Sequence, residues 1–252
     1  MGTLTVRGLT LGEGLPKICV PITAPDLPGV LAQGAEIARH RGNGADLCEW
    51  RVDGFTGLSE PEAVQAACSA LRETLGEMPL LLTLRTCQEG GEAEVKEDDY
   101  LALVERLTAL QPDLVDIELF TAGASAKVLV ESAHRLGVKV VLSSHDFSKT
   151  PPEAEIIRRL SEMDQLGGDL CKIAVMPRCR EDVMALLTAS VKQSARSRAP
   201  LITMSMGAMG AVSRICGSLT GSAVTFATLG TASAPGQLPA EKVAEILPLL
   251  RL

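Results

Sequence analysis

Short apolar runs rich in β-branched residues alternate along this chain with longer stretches in which apolar side chains recur every three or four positions. The alternation repeats about eight times, the count that a closed parallel barrel needs. Strands are expected over 17–22, 47–52, 80–85, 114–119, 139–145, 170–176, 201–205 and 223–228, each followed by a loop and a helical pattern. Ser59 ahead of Glu60 and Pro61, and Pro152 after the turn at Lys149 and Thr150, mark helix starts. Gly42, Gly76, Gly137 and Gly167 mark helix ends, where a left-handed residue closes the last turn. The pattern predicts a single (β/α)8 TIM barrel over residues 1–252, with a hairpin in residues 3–11 closing its bottom. No Pro- or Ser-rich linker divides the chain, and an open doubly wound sheet is disfavoured because no GxGxxG turn follows the first strand.

The barrel reading has a consequence for which side chains face inward. Residues pointing outward from a parallel barrel are covered by helices, so the polar positions of each strand should point into the mouth. Glu49 and Arg51 share one face of the second strand, and Thr83 and Arg85 one face of the third. Asp116 with Glu118, Ser143 with His145, and Lys172 with Ala174 follow on the next three. On the seventh strand Thr203 and Ser205 oppose Ile202, Met204 and Met206, and the pattern leaves open which set looks inward. Carboxylates, arginines, one histidine and one lysine thus converge on the end of the barrel where this fold does its chemistry.

Composition narrows the partners. A formal net charge of -7 with 2% aromatic residues argues against nucleic acid, which needs a basic face and stacking platforms, so a small molecule is the expected partner. The seven cysteines are scattered without CxxC or Cys/His spacing, which predicts that most of them are reduced core thiols in a cytoplasmic protein and that there is no zinc site. Residues 215–240 carry no charge, yet Gly, Ser, Thr and Pro interrupt them too often for a membrane span. The first fourteen residues have neither a signal-peptide core nor a myristoylation pattern.

Lysine is rarely buried, so Lys172 within DLCKIAVM needs either a partner or a purpose. One reading is an ion pair with Asp116 or Glu118; the other is a desolvated amine near Arg51 and Arg85 that attacks a ketone. His40 and His134 fall in the last turns of helical patterns, where a cation complements the helix dipole, whereas His145 stands at a strand's C-terminal end as a candidate general acid and base. A rim histidine held by Asp146 is the plainer account of it. Arg214 offers the paired donors that suit a carboxylate, or it is an exposed helix residue. The segment 230–239 has the composition of a lid in which Ser233 and Gln237 can bond hydroxyls, or it is an ordinary surface loop.

Taken in order, EWRVD at 49–53, TLRT at 83–86 with EGG at 89–91, SSHDF at 143–147, KIAVMP at 172–177, MSMG at 204–207 with Ser213 and Arg214, and SAPGQ at 233–237 resemble the type I 3-dehydroquinate dehydratases over residues 17–252. The resemblance implies a hydro-lyase of the shikimate pathway to chorismate and the aromatic amino acids. Its substrate would be a cyclic polyhydroxy keto acid, the enzyme a cytoplasmic homodimer, and no metal or organic cofactor would be needed. It also implies roles: Lys172 forms a Schiff base, His145 moves the proton, and Glu89 orients His145. Arg214 binds the substrate carboxylate, Met204 and Met206 pack on the ring, and Glu49, Arg51, Arg85, Ser233 and Gln237 hold hydroxyls and close the site.

Two other functions compete. A lysine-imine aldolase acting on a sugar phosphate would share Lys172 but bring a phosphate site after the seventh and eighth strands, where GAMGAV supplies glycines. A non-catalytic metabolite-binding barrel would keep the fold without needing Lys172, His145 and Glu89 together.

Overall fold

The computed structural model describes residues 2–230 and 232–251. Thr231, within the expected lid, and the two terminal residues of the expected domain lie outside them. The strands are β1 (Leu4–Val6), β2 (Leu9–Leu11), β3 (Lys17–Ile22), β4 (Leu47–Arg51), β5 (Leu80–Thr83), β6 (Leu114–Glu118), β7 (Lys139–Asp146), β8 (Leu170–Val175), β9 (Leu201–Ser205) and β10 (Val224–Phe226). The last eight form one parallel sheet in the order β10-β3-β4-β5-β6-β7-β8-β9 with helices between them, a nearly closed (β/α)8 barrel. β10 is short, and a side chain helps to close the ring: Ser222 Oγ accepts from the Thr203 amide at 3.0 Å while the Ala223 amide donates to the Leu201 carbonyl at 2.7 Å.

The observed strands fall within two residues of the expected ones at nearly every end, because short apolar runs between turn residues are a local signal. Gly42, Gly76, Gly137 and Gly167 all take positive φ, as helix ends require. Pro61 opens its helix at the first position, but Glu60 rather than Ser59 is the residue before it.

Two packed layers result. Outward side chains such as Trp50, Leu82, Ile117 and Ile173 meet the helices, while Leu47, Leu81, Leu114, Val141 and Leu170 fill the barrel's lower interior. β1 and β2 pair antiparallel and insert Val6 and Leu11 into that lower layer, so the hairpin does plug the bottom. Burying a side chain of that size contributes roughly 1.5–3 kcal/mol. The turn between them puts Arg7 at φ 45 and Gly8 at φ 76, and Arg7 is held in that conformation by an ion pair with Asp113. Asp113 also accepts from Arg72 at 2.7 Å and from the Leu80 amide at 2.9 Å, fastening the hairpin to the base of β5.

The ambiguous strand is resolved by its helix. Thr203 Oγ1 accepts from Ser190 Oγ at 2.8 Å on the covering helix Arg180–Ser194, so Thr203 faces outward and Ile202, Met204 and Met206 face the interior. Among the described residues no helix is long and apolar enough to cross a membrane.

Candidate active site

With the lower barrel filled by aliphatic side chains, the polar ones are displaced to the C-terminal mouth. Register places them side by side: Arg51 opposite Thr83, Thr83 opposite Asp116, Glu118 opposite Ser143, and Ser143 opposite Lys172. All of the expected site residues, Lys172, His145, Glu89, Glu49, Arg51, Arg85, Met204, Met206, Arg214, Ser233 and Gln237, line one cavity there.

Lys172 is 4% exposed. Its Nζ lies 3.5 Å from Asp116 Oδ2 and 3.6 Å from Glu49 Oε1, and 4.4 Å above the centre of the Phe226 ring. The nearest charges to the amine are therefore two carboxylates rather than Arg51 and Arg85. The alternative partner Glu118 is engaged elsewhere: it accepts from Arg85 at 3.0 Å, from the Thr86 amide at 2.9 Å and from the hydroxyls of Thr86 and Thr121.

Arg85 is the hub of the buried charges. Its Nη1 donates to Glu118 and to Ser143 Oγ at 3.0 Å, and its Nη2 pairs with Asp116 Oδ1 at 2.8 Å. Full burial works against its charge, but four carboxylates, Asp116, Glu118, Glu89 and Glu49, keep its guanidinium more firmly protonated than usual. Arg51 is clamped by Asp53 through two parallel bonds of 2.8 and 2.6 Å. Asp53 also accepts from the Arg85 and Glu92 amides, and these bonds outweigh burial and hold its carboxyl below the ordinary range.

His145 Nδ1 lies 2.8 Å from Glu89 Oε2, which accepts from the His145 amide at 3.0 Å as well. The plainer account of His145, a ring held by Asp146, does not apply: Asp146 caps Ser148 and Lys149 instead. Burial first, and then the cations Arg85, Lys172 and Arg51, push the imidazole well below its usual pKa, so the ring is neutral. Burial pushes Glu89 up to about 8, with Arg85 opposing the shift. The donors crowding Oε2 keep that oxygen an acceptor, so any proton that Glu89 carries sits on Oε1. Nδ1 then holds the ring proton and Nε2 keeps a free lone pair, the form a general base requires.

Arg214 is 2% exposed and meets no carboxylate among the described residues. It donates to the carbonyls of Phe226 at 3.2 Å and Pro235 at 3.0 Å, while its Nε has no partner. Burial alone lowers its pKa to about 10. The exposed-helix reading of Arg214 is thereby set aside. The 232–237 segment is drawn over the cavity: the Gly207 amide donates to the Pro235 carbonyl at 3.1 Å, and the Ser233 amide donates to Gln237 Oε1 at 2.8 Å. A Cβ on Gly236 would stand 2.3 Å from the Gly207 carbonyl oxygen, so the close approach requires glycine.

A model of the type I 3-dehydroquinase family matches residues 18–252. The chain belongs to that family. Among curated relatives it is 45% identical over 249 residues to a 3-dehydroquinate dehydratase of Klebsiella pneumoniae strain 342, covering 98% of each chain. It is 43% identical over 251 residues to one of Listeria monocytogenes serotype 4b, covering 99% of this chain and 98% of the other. Among solved structures, a type I 3-dehydroquinate dehydratase from Clostridium difficile with covalently modified comenic acid superposes with a TM-score of 0.93 at 40% identity, covering 99% of this chain and 98% of that one. The sugar-phosphate aldolase reading falls with family membership.

Further residues stand among or beside the expected ones in this barrel's mouth. Asp116, one of the two ion-pair partners that the sequence offers Lys172, lies beside its amine, and Glu118, the other, pairs with Arg85 instead. Asp53 was visible in EWRVD, two positions after Arg51, a spacing that alone does not show a side chain folding back. Phe226 and Phe147 also line the cavity.

Proposed function

We propose that this chain, as one catalytic domain over residues 1–252, removes water from 3-dehydroquinate through an imine on Lys172. Family membership makes it a 3-dehydroquinate dehydratase, a carbon–oxygen hydro-lyase. The mechanism rests chiefly on one observation: a buried lysine, a histidine held by Glu89 and a buried arginine with no carboxylate beside it among the described residues line the same cavity.

Arg214 receives the substrate carboxylate, supplying the anion that its burial lacks. Lys172 adds to the C3 ketone as the unprotonated amine. The carbinolamine loses water to give an iminium, which draws electrons from C2 and acidifies its proton. His145 Nε2 takes that proton, leaving an enamine. The enamine's electron pair expels the C1 hydroxyl as His145 returns the proton, and a water leaves. A second water hydrolyses the iminium, releasing 3-dehydroshikimate and restoring the lysine. Glu89 acts as a positioning residue throughout. Glu49, Arg51 and Arg85 meet the ring hydroxyls from below, Met204 and Met206 support the ring, and Ser233 with Gln237 closes over it.

Borohydride added with 3-dehydroquinate should reduce the imine to a stable adduct that intact mass and peptide mapping place on Lys172. Turnover without any adduct would overturn the imine.

The same reading places the enzyme in the shikimate pathway towards chorismate and the aromatic amino acids, in the cytoplasm, and as a homodimer. Cysteines without disulfides support a reducing compartment. The exposed apolar side chains Met184 and Val191 of the helix Arg180–Ser194, with Met209, Val212 and Leu219 on adjoining elements, support a second copy on that face. Sedimentation at a single-chain mass of 26.5 kDa would reject the dimer.

A further inference from the structure

A second cavity adjoins the catalytic one. It is an open groove on the rim, beside the catalytic cavity beneath the 232–237 segment. Its outer wall is Arg159, whose guanidinium lies 4.8 Å from the centre of the Phe120 ring and donates to Glu155 at 2.7 Å and to Ser144 Oγ at 3.4 Å. Gln88 and Thr121 complete the near side. Three residues line both spaces: Glu89, His145 and Phe147.

The partition between the two is the Phe147 ring, laid on the backbone of Gly90. A Cβ at Gly90 would stand 2.2 Å from the ring, and the residue has φ +79, so only glycine lets the ring settle there. The polar part of the partition is the Glu89–His145 pair. The hydrogen bonds that the Glu89 carboxylate accepts among the described residues fall on Oε2, leaving Oε1 without a protein partner in a wall shared by the two spaces.

The reaction requires such an opening. It sheds one water when the iminium forms and a second at His145 when C1 loses its hydroxyl, and it takes one back for hydrolysis at C3. Those events are set in a small cavity roofed by Ser233, Ala234 and Gln237, which must stay shut while the ring is held. We propose that the rim groove behind Phe147 is a water port, through which the water expelled at His145 leaves while the roof remains closed over the substrate. The proposal rests on His145 being the group that protonates the leaving hydroxyl.

The port can be plugged reversibly. In a Cys87→Ser, Cys179→Ser background, Gln88→Cys places a thiol on the groove's near side, to be capped as a disulfide with either a methyl or a bulky aromatic group. Substrate carrying ¹⁸O on C1 then reports where the expelled water goes, in a single turnover with the product reduced at once to fix its oxygen. With the thiol free or methyl-capped, the label should be lost to bulk water. With the bulky cap, the trapped water should hydrolyse the iminium, so ¹⁸O appears in the product ketone and kcat falls several-fold with KM unchanged. Removing the cap with a reductant should reverse both effects, which a folding defect would not allow.

Label retained already in the uncapped enzyme, or no change in label on bulky capping, would overturn the port; a lower kcat without label retention counts against it equally. Failure of the imine reading is distinguishable, because it shows as turnover with no borohydride adduct on Lys172 in the uncapped enzyme.

Discussion

One carboxylate oxygen of Glu89 holds His145 at two points, accepting its backbone amide at 3.0 Å and lying 2.8 Å from its ring Nδ1. The double contact fixes the ring's rotation as well as its tautomer. Replacing Glu89 by Gln keeps the shape but can set an amide NH2 where the accepting Oε2 stands, losing the acceptor for the ring and the amide of His145. We expect kcat to fall by roughly tenfold to hundredfold, part of the ~10²–10⁴ that a positioned general base supplies. Lys172 should still yield a borohydride adduct. An unchanged kcat would show that Glu89 does not position the base.

The same pair sets opposing pH dependences of stability. His145 has a folded pKa below its usual value, so its stabilisation is complete above about 6.5 and is lost as pH falls towards the folded value. Glu89 has a folded pKa raised to about 8 from 4.5, so its stabilisation is complete below 4.5 and is lost as pH rises through about 8. Thermal melts of Glu89→Gln and the wild type should therefore diverge in favour of the variant between pH 5 and pH 8. A difference independent of pH would reject the raised carboxyl.

Arg214 makes bonds only to carbonyls and a thioether among the described residues, and its Nε is unpartnered. Arg214→Leu should raise KM for 3-dehydroquinate by roughly tenfold to hundredfold, the worth of a charged hydrogen-bonded pair at about 1.5–3 kcal/mol. A ring analogue lacking the carboxylate should bind the variant and the wild type alike. Discrimination against that analogue surviving in the variant would exclude the clamp.

Asp53 anchors Arg51 and the backbone of two further residues, and it is 8% exposed. Asp53→Asn leaves the guanidinium with a neutral partner. The expected cost is about 3 kcal/mol, a fall in Tm of roughly 10 °C, with KM raised as Arg51 loses its aim. A melt within 1–2 °C of the wild type, roughly the effect of a neutral surface change, would show that the pair contributes little.

The imine lysine supplies the electron sink in this mechanism, so turnover is expected to be the same before and after exhaustive EDTA treatment. Activity lost on chelation and restored by a divalent ion would overturn that reading.

Much of this molecule is local in its causes. Turn glycines, apolar runs and alternation along each strand place the barrel and its inward faces, because a strand's period of two is a property of the backbone and is written directly into residue order. Lys172, His145 and Arg85 therefore announce themselves as mouth residues, and the ordered motifs from EWRVD to SAPGQ carry the family. What only the tertiary structure decides is who pairs with whom. Lys172 meets Glu49 from four strands away, on the opposite side of the ring, and Asp116 rather than Glu118, because shear and side-chain length set those distances. Thr203 turns outward because a serine on the covering helix is there to bond it. Arg214 is buried with no carboxylate beside it among the described residues, and His145 stands between two cavities, because loops remote in sequence close over the same mouth. Those relationships arise between segments, and no period along the chain records them.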